Sequence, residues 1–387
     1  MLKKMLGCGL PIFWAGVIMF GYPGLMSTCW QEMYHVGSAE TGLVVTCMLL
    51  ALAVAMFISG RIHSRAGMGV CILIATALYL LAFAVLLTAE SIRGVYLWGF
   101  IVSFGGSFIY GPGLTTVQQA YPEKKGLVSG AFNLTFGISA AIMSPLLNRM
   151  LEARGYVFVN VLMISAIVVT YLFSYALLRF SEKAQSAAAR AGKDTDLTVT
   201  QALRTRDFWL IWLVWVFMGA AGISMVSLSR SYSAAIGAAG VALLTAFNLA
   251  NGLSRIFVGA FSDRLGAKAI ALGAYAITAL AYFAMPHTGS VRAAALCAIG
   301  VGIGLGTLFT VTGPLAAELF GLTNFGMIFG LIYTAYGMVA AVMGPALSGM
   351  LLEKTGGSYL IVFSYLGVMA AIGMALMCFV KNPKAEK

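Results

Sequence analysis

The sequence predicts an all-helical membrane protein in which twelve transmembrane helices form two six-helix halves. Hydrophobic residues make up 60% of the 387 residues and charged residues only 10%, so lipid must solvate much of the protein surface. The apolar segments are about 20 residues long, which is the length that a helix needs to cross a bilayer. They lack the alternating pattern of barrel strands, and helices are the remaining structure that satisfies every backbone hydrogen bond in lipid.

Twelve segments are long and apolar enough to span the membrane. The first follows two lysines but has no small-residue cleavage site after its apolar run, so we expect an uncleaved first helix rather than a secretory signal. The predicted spans are 8–32, 41–60, 69–89, 94–119, 127–148, 156–180, 207–230, 239–260, 268–286, 291–318, 324–349 and 357–380.

The distribution of basic residues predicts the orientation in the membrane. Most of the 24 lysines and arginines lie in loops that become cytoplasmic if the N-terminus is cytoplasmic. We therefore expect a multi-pass protein of the cell inner membrane with both termini in the cytoplasm. The net charge of +11 then reflects this topology and the attraction of anionic lipid headgroups. No basic patch interleaved with aromatic residues indicates nucleic-acid binding, and we expect none.

Arg255 is the one basic residue that falls deep inside a predicted span. All 13 acidic residues lie in loops or at helix ends, so the sequence predicts no acidic partner for it within the membrane. A cation at the bilayer centre costs at least about 2.5–3.5 kcal/mol, and such residues normally face a water-filled cavity or a partner. The planar guanidinium fits the two oxygens of a carboxylate, so Arg255 is the leading candidate for binding an organic anion. The alternative is that it braces helix packing by bonding to carbonyl oxygens.

Asn251 lies one helical turn before Arg255 and therefore on the same face of the helix. One interpretation is that its amide holds the arginine or contacts the ligand. The other is that it forms a polar clasp between helices. The sequence alone favours neither.

The chain repeats itself with an offset close to 200 residues. Two six-helix halves related in this way are typical of secondary transporters. We predict an N-terminal half at 1–180, a cytoplasmic linker at 181–206 and a C-terminal half at 207–387. The repeat relates Gly126, Gly130, Gly137, Ala140, Ala141, Met143 and Pro145 to the same residue types 200 positions later, and Gly60, Arg65 and Gly67 to Gly259, Arg264 and Gly266.

The residue types that carry catalysis or bind metals are not arranged for either task. The six cysteines are scattered along apolar segments without metal-ligand or redox spacing. No paired carboxylates and no nucleophile with a base fall inside the predicted spans. We therefore expect no enzymatic activity, no cofactor and no metal, and a carrier suits two similar halves better than a channel.

The segment 259–268, GAFSDRLGAK, resembles the cytoplasmic signature loop of the major facilitator superfamily. The segment 60–67, GRIHSRAG, is a degraded first-half copy with Ser64 where the aspartate belongs. Further stretches, SAET at 38–41, YPEKKGLVSG at 121–130 and GLIYTAYG at 330–337, resemble the oxalate/formate antiporter family and the related monocarboxylate transporters. The resemblance implies the major facilitator fold and alternating access, with gating-loop roles for Asp263, Arg264 and Arg65.

Two departures from these families bear on the substrate. The oxalate/formate group has a second cation, a lysine, where this chain has Tyr336, and animal monocarboxylate transporters have an aspartate where this chain has Asn251. One fixed cation favours a monoanion over oxalate. The resemblance thus implies a small monocarboxylate such as L-lactate or pyruvate as substrate, in symport with protons. Organic-anion exchange of the oxalate/formate type is the alternative, and the residues alone also permit uniport.

The repeat offset and the Gly/Pro clusters of helices 1, 4 and 10 suggest the other wall residues. The second half would supply the polar wall of the binding cavity and the first half its apolar wall. Asn133 would contact a hydroxyl or keto group of the substrate. We expect a monomer in the lipid bilayer. The predicted substrate-binding residues are Arg255, Asn251, Tyr336, Tyr333, Asn133, Tyr110, Leu25, Phe309, Tyr22 and Phe136.

Overall fold

The protein is described by a computed structural model that covers residues 2–182, 196–237 and 242–381. Every regular element in these ranges is a helix. We label the membrane helices α1–α12 in chain order. They are α1 (Leu2–Gly16, a π-helical turn Val17–Gly21, and Tyr22–Tyr34), α2 and α3 (Ser38–Leu87, on either side of Gly67), α4 (Ile92–Ala120), α5 and α6 (Lys125–Glu182, on either side of Gly155), α7 (Arg206–Ala235), α8 (Ala242–Leu265), α9 (Ala267–Ala284), α10 (Val291–Phe320), α11 (Phe325–Thr334, π-helical turns Ala335–Ala340 and Val342–Ala346, and Leu347–Lys354) and α12 (Tyr359–Phe379).

The predicted number of twelve membrane helices is confirmed. Within the described ranges, nine helical segments are long and apolar enough to cross a membrane. Two of them, Leu43–Leu87 and Gly126–Arg179, have 45 and 54 residues, which is about two crossings each. The helix α8 has 24 residues and completes the set; it is less apolar than the others because it contains Asn251 and Arg255.

The helix boundaries differ from the prediction at several places, and two of them are turns that consist of a single glycine. We expected loops at 61–68 and 149–155, but the chain stays helical up to a single glycine in each case. Gly67 has φ 80° and ψ 176°, and Gly155 has φ 80° and ψ 177°. The polar residues before them are compatible with a helix, so only the glycine, which tolerates positive φ, redirects the chain.

Contacts between residues divide the chain into two compact units. The first unit comprises Met1–Pro122, Thr135–Leu197 and Gly321–Leu331. The second unit comprises Glu123–Leu134, Thr198–Phe320 and Ile332–Lys387. The start of α5 therefore packs with the second unit, and the start of α11 packs with the first. The half and linker boundaries drawn from the sequence stay a prediction.

Part of the predicted linker, residues 183–195, lies outside the described ranges. Asp196, the first described residue after this segment, is anchored within the first unit. The Asp196 carboxylate accepts hydrogen bonds from the backbone N–H groups of Leu322 and Thr323 at 3.1 and 2.9 Å, and from the Thr323 hydroxyl at 2.6 Å. The short helix Val199–Leu203 follows, and Thr198 caps it by accepting a bond from the Gln201 N–H.

Each unit contains a close helix crossing made by glycines. In the second unit, a Cβ built on Gly130 of α5 would lie 2.5 Å from the carbonyl oxygen of Arg255 on α8. In the first unit, a Cβ on Gly330 of α11 would lie 2.8 Å from the carbonyl oxygen of Met56 on α2. Glycine is the residue that lets helix backbones approach this closely. The sequence offset of about 200 residues relates one crossing to the other.

We predict that Gly155→Ala destabilises the protein, although no atom lies within 4 Å of the Cβ that the substitution would add. The backbone conformation of Gly155 costs a residue with a side chain about 1–3 kcal/mol. Gly273→Ala is the matched control, because its Cβ position is equally open and it lies within the helix α9. Thermal unfolding in detergent should give a lower midpoint for Gly155→Ala only. Equal midpoints for the two variants would contradict the claim that alanine is strained in the backbone conformation of residue 155.

Candidate functional site

Arg255 lies in the middle of α8 and its side chain is fully buried. Its Nε donates to the Asn251 carbonyl oxygen at 3.1 Å, and its Nη2 donates to Asn251 Oδ1 at 3.0 Å. Its Nη1 donates to the carbonyl oxygen of Asn133 on α5 at 2.9 Å. These three acceptors are neutral amide oxygens within the second unit. They fix the plane of the guanidinium, and a bound anion would add the charge interaction that neutral acceptors do not give.

The helix α10 packs closely against the same part of α8. A Cβ on Gly302 would lie 2.3 Å from the Phe247 carbonyl oxygen, and a Cβ on Gly306 would lie 2.5 Å from the Asn251 carbonyl oxygen. This approach places Phe309, one turn after Gly306, against the arginine. The guanidinium carbon lies 4.8 Å from the centre of the Phe309 ring, which is a favourable cation–π distance.

Four aromatic side chains from α7, α10 and α11 form one cluster beside Arg255. Trp215 lies 5.1 Å from Phe309, 4.9 Å from Tyr333 and 5.6 Å from Tyr336 between ring centres. Tyr333 and Tyr336 are 5.6 Å apart, and Phe309 is 5.9 and 5.5 Å from them. This aromatic cluster provides an apolar surface on which the cation packs.

Trp215 was not among the predicted site residues. Its Nε1 donates to the Thr312 hydroxyl at 3.0 Å, and Thr312 in turn donates to the Leu308 carbonyl oxygen at 2.6 Å. Both bonds hold the indole in one orientation, so that its ring packs on the two tyrosines. A mid-helix tryptophan in a strongly apolar span was the only signal in the sequence, and most such residues are ordinary core.

Tyr336 has a buried hydroxyl for which the described residues provide no hydrogen-bond partner. Leaving such a group unsatisfied costs about 1–3 kcal/mol. The residue lies in the π-helical turn Ala335–Ala340, and π-helical turns are frequent at functional sites. Its ring centre lies 5.5 Å from that of Phe309, on which the Arg255 guanidinium packs. An anion at the arginine would also supply the acceptor for this hydroxyl.

Asn251 and Asn133 both contribute to the arginine's position, but in different ways. Asn251 is buried, and both its side-chain oxygen and its carbonyl oxygen accept hydrogen bonds from Arg255. The side chain of Asn133 instead donates to the Ser129 carbonyl oxygen at 2.9 Å, and its backbone carbonyl oxygen accepts from Arg255. The role that we expected for the Asn133 amide, contact with a substrate hydroxyl or keto group, stays a prediction.

The remaining predicted wall residues lie in the first unit. Tyr110 and Phe136 contact each other with ring centres 5.0 Å apart, and Phe20 lies 4.9 Å from Phe136. Tyr22 belongs to a different aromatic group, in which it packs on Trp98 and donates its hydroxyl proton to Asn160 Oδ1. Leu25 is half-buried on α1.

The predicted gating-loop residues lie in the last helical turns of α2 and α8 rather than in loops. Arg65 and Arg264 are exposed, and the side chain of Asp263 lies outside the described part of the structure. Among the described residues, no group of three or more His, Cys, Asp or Glu side chains is arranged to hold a metal ion.

We predict that Tyr336→Phe leaves the ligand-free protein at least as stable as the wild type, because it removes a buried hydroxyl without a partner. Tyr232→Phe is the control, since the Tyr232 hydroxyl donates to the Met285 carbonyl oxygen at 2.8 Å. Losing that bond should cost about 1 kcal/mol. Thermal unfolding distinguishes the two, and an equal loss of stability in both variants would show that the Tyr336 hydroxyl is bonded.

Comparison with known proteins gives the family and several relatives. A family model described as Major Facilitator Superfamily matches residues 10–238 and 220–387. The oxalate:formate antiporter of Oxalobacter formigenes is 26% identical over 309 residues, which cover 75% of this chain and 70% of that protein. Monocarboxylate transporter 10 of Homo sapiens is 22% identical over 309 residues, which cover 75% of this chain and 60% of the human protein.

The fold is also similar to a solved transporter structure. The proton:xylose symporter XylE, bound to 6-bromo-6-deoxy-D-glucose, matches with a TM-score of 0.75 over 98% of this chain and 95% of that one. The two share 12% sequence identity, so this similarity concerns the fold alone. It confirms the expected fold of two six-helix halves. Since the family model covers almost the whole chain, the protein is a member of the major facilitator superfamily of transporters.

Proposed function

We propose that the protein carries small monocarboxylates, such as L-lactate and pyruvate, across the membrane by alternating access. The observation that supports this most directly is the environment of Arg255. A buried guanidinium is held on neutral oxygens and packs on Phe309. The Phe309 ring also contacts Tyr336, whose hydroxyl has no hydrogen-bond partner among the described residues. The Arg255 cation and the neutral Tyr336 donor together are suited to binding a carboxylate.

The chemistry of the two groups accounts for this choice. Hydrogen bonds from a guanidinium to a carboxylate are charge-assisted and about twice as strong as neutral ones. In a site of low dielectric, the attraction between the charges is also much greater than in water. Tyr336 can donate one further bond without adding charge. The ligand therefore gains both an ion pair and a positioning hydrogen bond.

The aromatic cluster supports a short hydrocarbon end on the substrate. Phe309 and Trp215 present ring faces, and the Trp215 N–H is already bonded to Thr312. A methyl or short alkyl group packs well on such a surface, whereas a second carboxylate would be desolvated there without a cation. This favours lactate, pyruvate, propionate or acetate over a dicarboxylate.

The names of two relatives also support a carboxylate as the substrate, without specifying which one. One is named for the exchange of oxalate and formate, and another for monocarboxylates. Tyr336 stands where the resemblance to the oxalate/formate group places a second cation. One cation matches one negative charge, so we propose a monoanion as substrate.

The proposed coupling is proton symport, in which the proton moves with the substrate or loads an acidic group at a helix end such as Glu32 or Glu318. Exchange of organic anions is the second candidate. It is favoured by the similarity to the oxalate:formate antiporter and by a cation that a bound carboxylate neutralises.

For Arg255→Gln we expect uptake of L-lactate into proteoliposomes to fall by at least about tenfold, because the substitution removes the charge. Arg255→Lys keeps the charge but loses the planar fork, so it should recover only part of the uptake. Arg292→Gln removes an exposed cation at the start of α10 and serves as the control. Unchanged uptake in Arg255→Gln would refute the proposed function.

A second assay separates symport from exchange. Proteoliposomes that contain a trapped pH-sensitive dye are given an inward gradient of L-lactate. Symport predicts acidification of the interior that depends on the protein and is abolished in Arg255→Gln. Uptake without acidification, combined with strong stimulation by trapped lactate, would instead establish exchange.

A further inference from the structure

We propose that Gly130 and Gly259 are positioning residues for substrate binding. The close crossing of α5 and α8 that these glycines permit holds the Arg255 guanidinium in the orientation that receives the carboxylate. This inference rests on the proposed function of Arg255, but it assigns a role to two residues without polar side chains.

The two helix backbones are in contact at this crossing. A Cβ on Gly130 would lie 2.5 Å from the Arg255 carbonyl oxygen and 3.2 Å from the Gly259 Cα. A Cβ on Gly259 would lie 2.5 Å from the Gly126 carbonyl oxygen and 3.0 Å from the Gly130 Cα. Any side chain at either position must therefore push α5 away from α8.

The same crossing sets the length of the hydrogen bond to the guanidinium. Asn133 follows Gly130 by three residues and lies on the same face of α5. Its carbonyl oxygen accepts from Arg255 Nη1 at 2.9 Å. An N–H···O bond is weak beyond about 3.2 Å, so a separation of a few tenths of an ångström would release this edge of the guanidinium. The bonds to the side-chain and carbonyl oxygens of Asn251 would remain, but both acceptors belong to α8 itself.

The first unit provides the same crossing without the cation. A Cβ on Gly330 would lie 2.8 Å from the Met56 carbonyl oxygen, and a Cβ on Gly60 would lie 2.5 Å from the Gly326 carbonyl oxygen. Met56 occupies the place that corresponds to Arg255, and its side chain has no N–H donor. Widening this crossing breaks no hydrogen bond that the structure describes on Arg255, which makes Gly330 and Gly60 matched controls for Gly130 and Gly259.

The test compares Gly130→Ala with Gly330→Ala in the purified full-length protein. Both variants should lose thermal stability by a similar amount in the absence of ligand. Calorimetric titration with L-lactate should give a Kd that is about tenfold weaker for Gly130→Ala only, equivalent to about 1.4 kcal/mol. In proteoliposomes, KM should rise in Gly130→Ala but not in Gly330→Ala, while kcat falls to a similar extent in both. A purely structural role for Gly130 would not produce this split.

If Gly130→Ala does not fold, Gly259→Ala and its control Gly60→Ala provide the same comparison. The positioning role is overturned if wild type binds L-lactate, Arg255→Gln does not, and Gly130→Ala binds as tightly as Gly330→Ala. If wild type does not bind, or if Arg255→Gln binds equally well, the proposed function itself fails and the positioning role falls with it.

Discussion

The hydrogen bonds that hold Arg255 between Asn251 and Asn133 are the interaction on which the rest of the site depends. A cation inside a membrane-spanning helix is costly unless polar groups surround it. Here one edge of the guanidinium is bonded to α8 itself, another edge to α5, and its face rests on Phe309. The side chain is therefore already oriented in the ligand-free protein, so the proposed anionic substrate would not spend binding energy on ordering it.

Close helix packing makes this arrangement possible. Without much difference in polarity between lipid and side chains, membrane helices associate through small residues that let backbones approach. Gly130 and Gly259 bring α5 onto one side of α8, and Gly302 and Gly306 bring α10 onto another. The glycines thus do more than stabilise the fold, because they determine which carbonyl oxygens and which aromatic ring reach the cation. The π-helical turn of α11 presents Tyr336 to the same cluster.

The sequence was sufficient for the features that follow from the lipid environment. The twelve spans could be predicted because lipid requires long apolar helices, and Arg255 could be singled out because charges avoid hydrocarbon. The glycines were visible as a repeat, although their function as crossings was not. Trp215 could not be found, since its role depends on how α7 lies against α10 and α11. The same holds for Asn133, whose backbone carbonyl oxygen accepts from the arginine, and for the π-helical turns, which no local pattern indicates.

In the proposed site, one cation, complemented by a neutral hydroxyl and an aromatic surface, selects a single negative charge. Competition calorimetry at neutral pH, with propionate and L-lactate compared against oxalate and malonate on the purified wild-type protein, tests this selectivity most directly. We predict that the monocarboxylates bind with a measurable heat and that the dicarboxylates do not displace them at equal concentration. Tighter binding of oxalate or malonate than of L-lactate would contradict the account.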